Sequence, residues 1–276
     1  MSNEMTVLPL RSVLTVIVLK GRRARQLHSV SGPPFFMLPV ANSGLFPEIQ
    51  TYLAALAASL KQIPAAHAAE RGRLAKWIAE HYQAGTELPL IVVCTGNSRR
   101  SVLLSMLLNL SGACCGLPEI RGYSGGTHPS AVNSRTITAL RAIGIDVWPL
   151  GTEAARGEEG LPNPLYQFCW GRQLFGMSLE SLEFSKTYHD RSNPQTGFAA
   201  LMVCDEADAA CPVVKGAAIR VSLPFMDPKE RDGLPDEADA YAACRDDIGR
   251  LALAILMEVR HLIDATRPAR GDSAST

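Results

Sequence analysis

The stretch Leu88-Pro89-Leu90-Ile91-Val92-Val93-Cys94-Thr95-Gly96-Asn97-Ser98-Arg99-Arg100-Ser101 decides the fold. Its first half is a short continuous apolar run, the pattern of a strand buried on both faces of a parallel sheet. Its second half is a polar turn, and a helix is expected from about Arg100 to Leu110. A strand–turn–helix unit of this kind puts its turn at the carboxyl edge of the sheet, where open α/β sheets bind ligands.

Working outward, three more strands are expected at Ile120–Ser124, Phe198–Cys204 and Ala218–Leu223. Between them, Asn133–Ile143 reads as a helix with Asn133 as N-cap and Gly144 as its stop. A long final helix covers about Glu237–Asp264, with Ile248, Leu251, Ile255, Val259 and Leu262 on its apolar face. Strands alternating with helices predict an α/β fold with a four-stranded parallel sheet flanked by helices. Residues 41–87 predict a helical hairpin as an N-terminal helical extension: Ile49, Tyr52, Leu53, Leu56 and Leu60 recur at helical spacing, then Leu74, Trp77 and Ile78 after Pro64. The segment 150–197, rich in Gly, Pro, Asn and Ser, reads as an insertion of loops with at most a short helix. Residues 1–40 read as a poorly structured extension, with Met37 as an alternative start. The tail 267–276 reads as disordered.

The 276 residues are 47% hydrophobic and 20% charged, with a formal net charge of +0. This balance suits a globular core and gives no reason to expect nucleic acid as a partner. No apolar run reaches the roughly 18 residues of a membrane span. The basic run Lys20–Arg25 follows the apolar Val13–Leu19, the reverse of a secretory signal; a membrane-surface anchor is the lesser alternative for it. Seven scattered cysteines do not form a secreted disulfide framework. A reducing, cytoplasmic setting follows. No close Cys/His set suggests a metal.

Cysteine–arginine spacing alone decides little, because Cys94–Arg100, Cys115–Arg121 and Cys244–Arg250 all share it. Only Cys94 ends a strand and precedes a helix. There, backbone N–H groups and the helix N-terminus favour a tetrahedral oxyanion. The oxyanion-binding residues are Thr95, Gly96, Asn97, Ser98, Arg99 and Ser101. Gly96 permits unusual dihedrals, and Asn97 tolerates the left-handed region. Arg100 offers a planar fork for two oxyanion oxygens. Ser101 is placed to donate to the Cys94 sulfur. A helix N-terminus and adjacent Arg bring a cysteine from about 8.5 to roughly 3.5–7.5, which makes Cys94 an expected nucleophile.

The motif Val93–Ser101 resembles the signature of the low-molecular-weight protein tyrosine phosphatase superfamily, which includes thioredoxin-coupled arsenate reductases. The resemblance extends through Tyr123-Ser124-Gly125-Gly126, Val132-Asn133-Ser134-Arg135, Ala142–Asp146, Met202–Val214 and Asp227-Pro228. It covers roughly 88–265 and implies the same four-stranded fold. Arg99 departs from it, since relatives commonly carry a second cysteine there. The resemblance implies that Asp227 is the general acid. It also implies a relay in which Cys94 attacks arsenate, Cys204 attacks the adduct and Cys211 closes a disulfide that a thioredoxin-like reductant opens, with no bound cofactor. If residues 204–211 formed one continuous helix, the two Cα atoms would lie about 10 Å apart, and a disulfide needs under roughly 7 Å, so the segment has to unwind.

Arsenate reduction through Cys94, Cys204 and Cys211 is the leading expectation. Hydrolysis of phosphotyrosine or another phosphomonoester through Cys94, Arg100 and Asp227 is the alternative. A non-catalytic, redox-sensing module that retains the loop is the third. Lys229–Asp232 replaces the tyrosines that line the cleft in relatives, and Tyr166, Phe168, Trp170, Phe175, Phe184 and Tyr188 are candidates to replace that wall. Cys114, Cys115, Cys169 and Cys244 are expected to be inert.

Overall fold

The computed structural model describes residues 43–155 and 162–266. The expectations for residues 1–40 and 267–276 lie outside them. In chain order the helices of four or more α-helical residues are α1 (Pro47–Ala57), α2 (Ala68–His81), α3 (Arg100–Cys114), α4 (Ser134–Arg141), α5 (Asp205–Ala210) and α6 (Glu237–Thr266). The strands are β1 (Leu88–Cys94), β2 (Ile120–Gly126), β3 (Asp146–Glu153), β4 (Pro164–Leu174), β5 (Met177–Glu183), β6 (Phe198–Met202) and β7 (Ala217–Ser222).

The main sheet is four-stranded and all parallel, in the order β2-β1-β6-β7. The central strands are the apolar ones: β6 is buried throughout and β1 everywhere but Pro89. The chain leaves β1 toward β2 on one side and later returns as β6 on the other. The crevice between β1 and β6 is therefore the switch point of the sheet, the usual ligand site of such folds.

Helix α3 is buried along its whole length, against the sheet on one side and α6 on the other. It approaches β2 so closely that a Cβ on Gly122 would lie 2.3 Å from the Ser105 carbonyl oxygen. Asn109 uses this proximity, donating to Gly122 O (3.1 Å) and accepting from Gly122 N (2.8 Å). The N-terminal hairpin packs on α6, and it buries Ile49, Leu53 and Leu56 of α1 and Leu74, Ala75 and Ile78 of α2. The Tyr52 hydroxyl donates to Asp246 across that seam (3.0 Å).

Three expectations are corrected. Asp146–Glu153, Pro164–Leu174 and Met177–Glu183 form a second sheet, antiparallel and in the order β3-β4-β5, in a region where loops were expected. Its β4–β5 hairpin turns on Phe175-Gly176, both at positive φ (51° and 80°). Asn-Gly and Asp-Gly are the usual two-residue signals, and Phe-Gly hides the turn. Phe168, Trp170 and Leu179 on its inner face are fully or almost fully buried, so Phe168 and Trp170 form no substrate wall. Phe175 is exposed at the hairpin tip. Next, β6 stops at Met202, and Cys204 instead caps α5 in extended geometry (φ −150°, ψ 148°). Finally, the unusual dihedrals that Gly96 permits are not used as a positive φ, and a Cβ there would make only ordinary contacts. Among the described residues, no helix is long and apolar enough to cross a membrane.

Cys114 and Cys115, at the end of α3, give a pH-dependent stability. Burial pushes the Cys114 thiol up to about 12 and that of Cys115 higher still. Both stay protonated in the folded chain, whereas an unfolded thiol ionises near roughly 8.5. Raised thiols contribute stability that is fully present below the unfolded value and is lost as pH climbs above it. We expect the unfolding free energy to fall between pH 9 and 11 by about 1.4 kcal/mol per pH unit for each of the two cysteines. Denaturant titrations of wild type and Cys114→Ala across that range check it; equal slopes for the two proteins would refute it.

Candidate active site

The turn after β1 wraps into a loop because its carbonyls are drawn outward. Cys94 O accepts from Thr127 N (3.1 Å), Thr95 O from His128 N (2.8 Å), Gly96 O from Ser130 N (3.1 Å) and Ser98 O from Asn133 N (3.0 Å). In a trans peptide the C=O and the next N–H point in opposite directions. The amides of Thr95, Gly96, Asn97 and Arg99 are thus directed to the inside of the loop. Gly126 makes this wrapping possible, since a Cβ there would sit 2.6 Å from Thr95 O. Asn97 occupies the left-handed region as expected (φ 43°).

The Cys94 sulfur is 3.1 Å from Ser101 Oγ. The direction of this bond follows from its neighbours. Asn97 Oδ1 accepts from the backbone N–H of Lys186 (2.8 Å), so the amide cannot be flipped. Asn97 Nδ2 must then donate to Ser101 Oγ (2.9 Å). The Ser101 hydrogen is left to point at the sulfur. Asn97 and Ser101 are wholly inaccessible to solvent, so water does not compete for these bonds.

Arg100 and Asp227 meet. Arg100 Nη2 donates to Asp227 Oδ2 (2.6 Å) and Nη1 to Phe225 O (2.8 Å). These bonds use two of the five donors of the guanidinium. Asp227 also caps the short 3-10 turn Pro228–Arg231, accepting from Lys229 N (3.0 Å). The side chain of Arg99 turns elsewhere: Nε donates to the Tyr241 hydroxyl (2.6 Å) and Nη2 to Asp232 (2.9 Å). Burial pushes the Tyr241 phenol up to about 12, so it stays neutral and donates to Asp232 (2.8 Å). Arg99 therefore offers the loop its amide, while its side chain ties the loop to α6.

Cys204 lies across the β1–β6 crevice, with Sγ 3.6 Å from Thr95 Oγ1. It is 1% exposed, and burial pushes its thiol up against the lowering effects of the Thr95 hydroxyl and the Arg100 charge. Cys211 is half-buried at the other end of α5 and lies against Tyr188, an aromatic of the insertion. The seven described cysteines are all free thiols. Arg220 holds the end of α5, donating to Cys211 O (3.0 Å), Asp208 O (2.8 Å) and the Asp208 carboxylate. Ser222 Oγ donates to the same carboxylate (3.0 Å).

The structure thus brings Cys94, Arg100, Ser101, Cys204 and Asp227 to one edge of the sheet. Sequence reasoning missed Lys186, Ser185, Asp232 and Tyr241, which hold the loop from outside, and Asn163, which holds Ser185. The charged run after Pro228, from which Asp232 comes, was the one available signal. Among the described residues, no group of three or more His, Cys, Asp or Glu is arranged to hold a metal ion. A cavity of about 610 Å³ lies behind the Pro224–Arg231 loop; it shares Asp227 with the site but Cys94 does not line it. Fold and site together define an α/β protein with a cysteine-bearing, amide-lined loop at its sheet switch point. No family model matches the chain, and no curated protein matches it.

Proposed function

We propose that this chain is a cysteine-dependent oxyanion enzyme with the low-molecular-weight phosphatase-like fold, and that it reduces arsenate to arsenite. The observation that carries this reading is the second thiol beside the loop: Cys204 Sγ within 3.6 Å of Thr95, the residue that follows Cys94. Phosphomonoester hydrolysis has no use for that thiol.

The chemistry runs in three thiol steps. Cys94 sulfur attacks arsenic held by the inward amides and Arg100, and a hydroxide leaves as water after protonation. Cys204 sulfur then attacks Cys94 Sγ. The S–As electron pair passes to arsenic, reducing As(V) to As(III), and arsenite departs as a Cys94–Cys204 disulfide forms. Cys211 attacks Cys204 and frees Cys94, and an external dithiol of the thioredoxin kind reduces the Cys204–Cys211 disulfide. Such chemistry belongs in a reducing compartment, the cytoplasm, and calls for neither nucleic acid nor membrane.

A second reading is favoured by Asp227, whose 2.6 Å bond to Arg100 keeps a carboxyl group beside the oxyanion loop. It is a phosphatase acting on phosphotyrosine or another phosphomonoester through a Cys94 phosphocysteine, with Asp227 protonating the leaving group.

One variant separates them. With thioredoxin, its reductase and NADPH, Cys211→Ser is expected to stop arsenate turnover after about one equivalent, while aryl-phosphate hydrolysis stays within about twofold of wild type. Multiple-turnover arsenate reduction by Cys211→Ser would overturn the relay.

A further inference from the structure

Among the described residues, the inserted sheet β3-β4-β5 reaches the nucleophile loop through the segment Glu183–Thr187, and one of the side chains that hold this segment is buried Asn163. Asn163 is 0% exposed. Its Nδ2 donates to Ala155 O (2.8 Å) and Ser185 O (2.7 Å), and its Oδ1 accepts from Ser185 N (3.1 Å). It thereby joins the chain leaving β3 to the chain leaving β5. What it holds acts directly on the loop. Ser185 Oγ donates to Gly96 O (3.0 Å), and Lys186 N donates to Asn97 Oδ1 (2.8 Å). Gly126 N donates to Lys186 O (2.9 Å), which fixes the segment to the end of β2. Glu183 accepts from Ser124 Oγ (2.9 Å), which anchors it once more.

The Lys186 amide decides which way the Asn97 side chain faces. With it, Asn97 Nδ2 donates to Ser101 and the Ser101 hydrogen goes to the sulfur. Without it, Asn97 is free to turn its oxygen to Ser101, whose hydrogen is then drawn away from Cys94. We propose that Asn163 is a positioning residue for Cys94, and that the inserted sheet is the brace that orients the Asn97–Ser101–Cys94 chain. The proposal rests on the reading of Cys94 as the nucleophile, but its test does not need the substrate to be known.

The test measures the second-order rate of Cys94 alkylation by iodoacetamide between pH 5 and 9, with the modified site read by mass spectrometry. It compares wild type, Asn163→Ala, Ser185→Ala and the outer-face control Trp148→Ala, with thermal midpoints recorded for all four. At pH 7, Asn163→Ala is expected to slow Cys94 alkylation about tenfold or more and to move its pH profile to higher pH, since small displacements of a supporting shell are strongly felt at the reacting atom. Ser185→Ala loses one loop contact and keeps the Asn163 clip. It is expected to slow alkylation about threefold, and so tests the brace even where Asn163→Ala does not fold. Trp148→Ala is expected to match wild type. Wild-type alkylation rates and pH profile in folded Asn163→Ala, or in Ser185→Ala, would overturn the proposal. Equal slowing in Trp148→Ala would do so too, by showing a general effect of destabilising the sheet. If Cys94→Ser kept full activity while Asn163→Ala slowed alkylation, the assigned function would fail and the brace would stand.

Discussion

Cys94→Ser is expected to lose both arsenate reduction and aryl-phosphate hydrolysis, by about 10⁴-fold or more in kcat. A serine oxygen is a poor nucleophile at neutral pH and cannot form the disulfide through which arsenic gains its electrons. The fold should survive, because Ser101 and the inward amides accommodate a hydroxyl as readily as a thiol and the site is 4% exposed. Steady-state rates with each substrate, beside a thermal midpoint within a few degrees of wild type, check the prediction. Retained activity of either kind in the folded variant would remove Cys94 from the chemistry.

Arg100→Lys is the second large effect. The guanidinium spans two anchors at once, Phe225 O and Asp227, and still presents donors to the loop. An ammonium is a point charge on a flexible stem and cannot hold both anchors in one plane. We expect kcat/KM to fall by about 10²- to 10³-fold for both substrates, since fixed donors aimed at developing charge carry much of the barrier lowering. The acid loop also loses a tether, so the loss should be larger for hydrolysis than for arsenate reduction if Asp227 is a general acid. Activity within threefold of wild type would show that Arg100 is a structural residue of the Pro224–Asp227 loop.

Different parts of this molecule were legible to different degrees, for physical reasons. The strands β1 and β6 are read directly because burial on both faces leaves no polar residue in them apart from the terminal Cys94. Asn97 and Ser101 are legible because a left-handed position and a hydroxyl facing the sulfur are local requirements of the turn. The β4–β5 hairpin is hidden, since Phe175 takes a positive φ that bulky residues rarely adopt. The orientation of Arg99 is hidden too. It depends on Asp232 and Tyr241, more than 130 positions away, and no local pattern announces those partners. Asn163 and Ser185 leave no periodic trace, because they act through backbone groups of irregular segments.

Arg220 has a consequence for redox poise. It grips the last turn of α5 and the carbonyl of Cys211 in the wound form of that helix. In the relay proposed above, closing the Cys204–Cys211 bond unwinds the helix and releases this grip, and opening the bond restores it. The dithiol form is thereby stabilised relative to the disulfide. A pair whose reduced form is favoured is a stronger oxidant and surrenders its disulfide readily to an incoming dithiol. In that relay the helix would act as a wound spring that returns each cycle to its starting thiols.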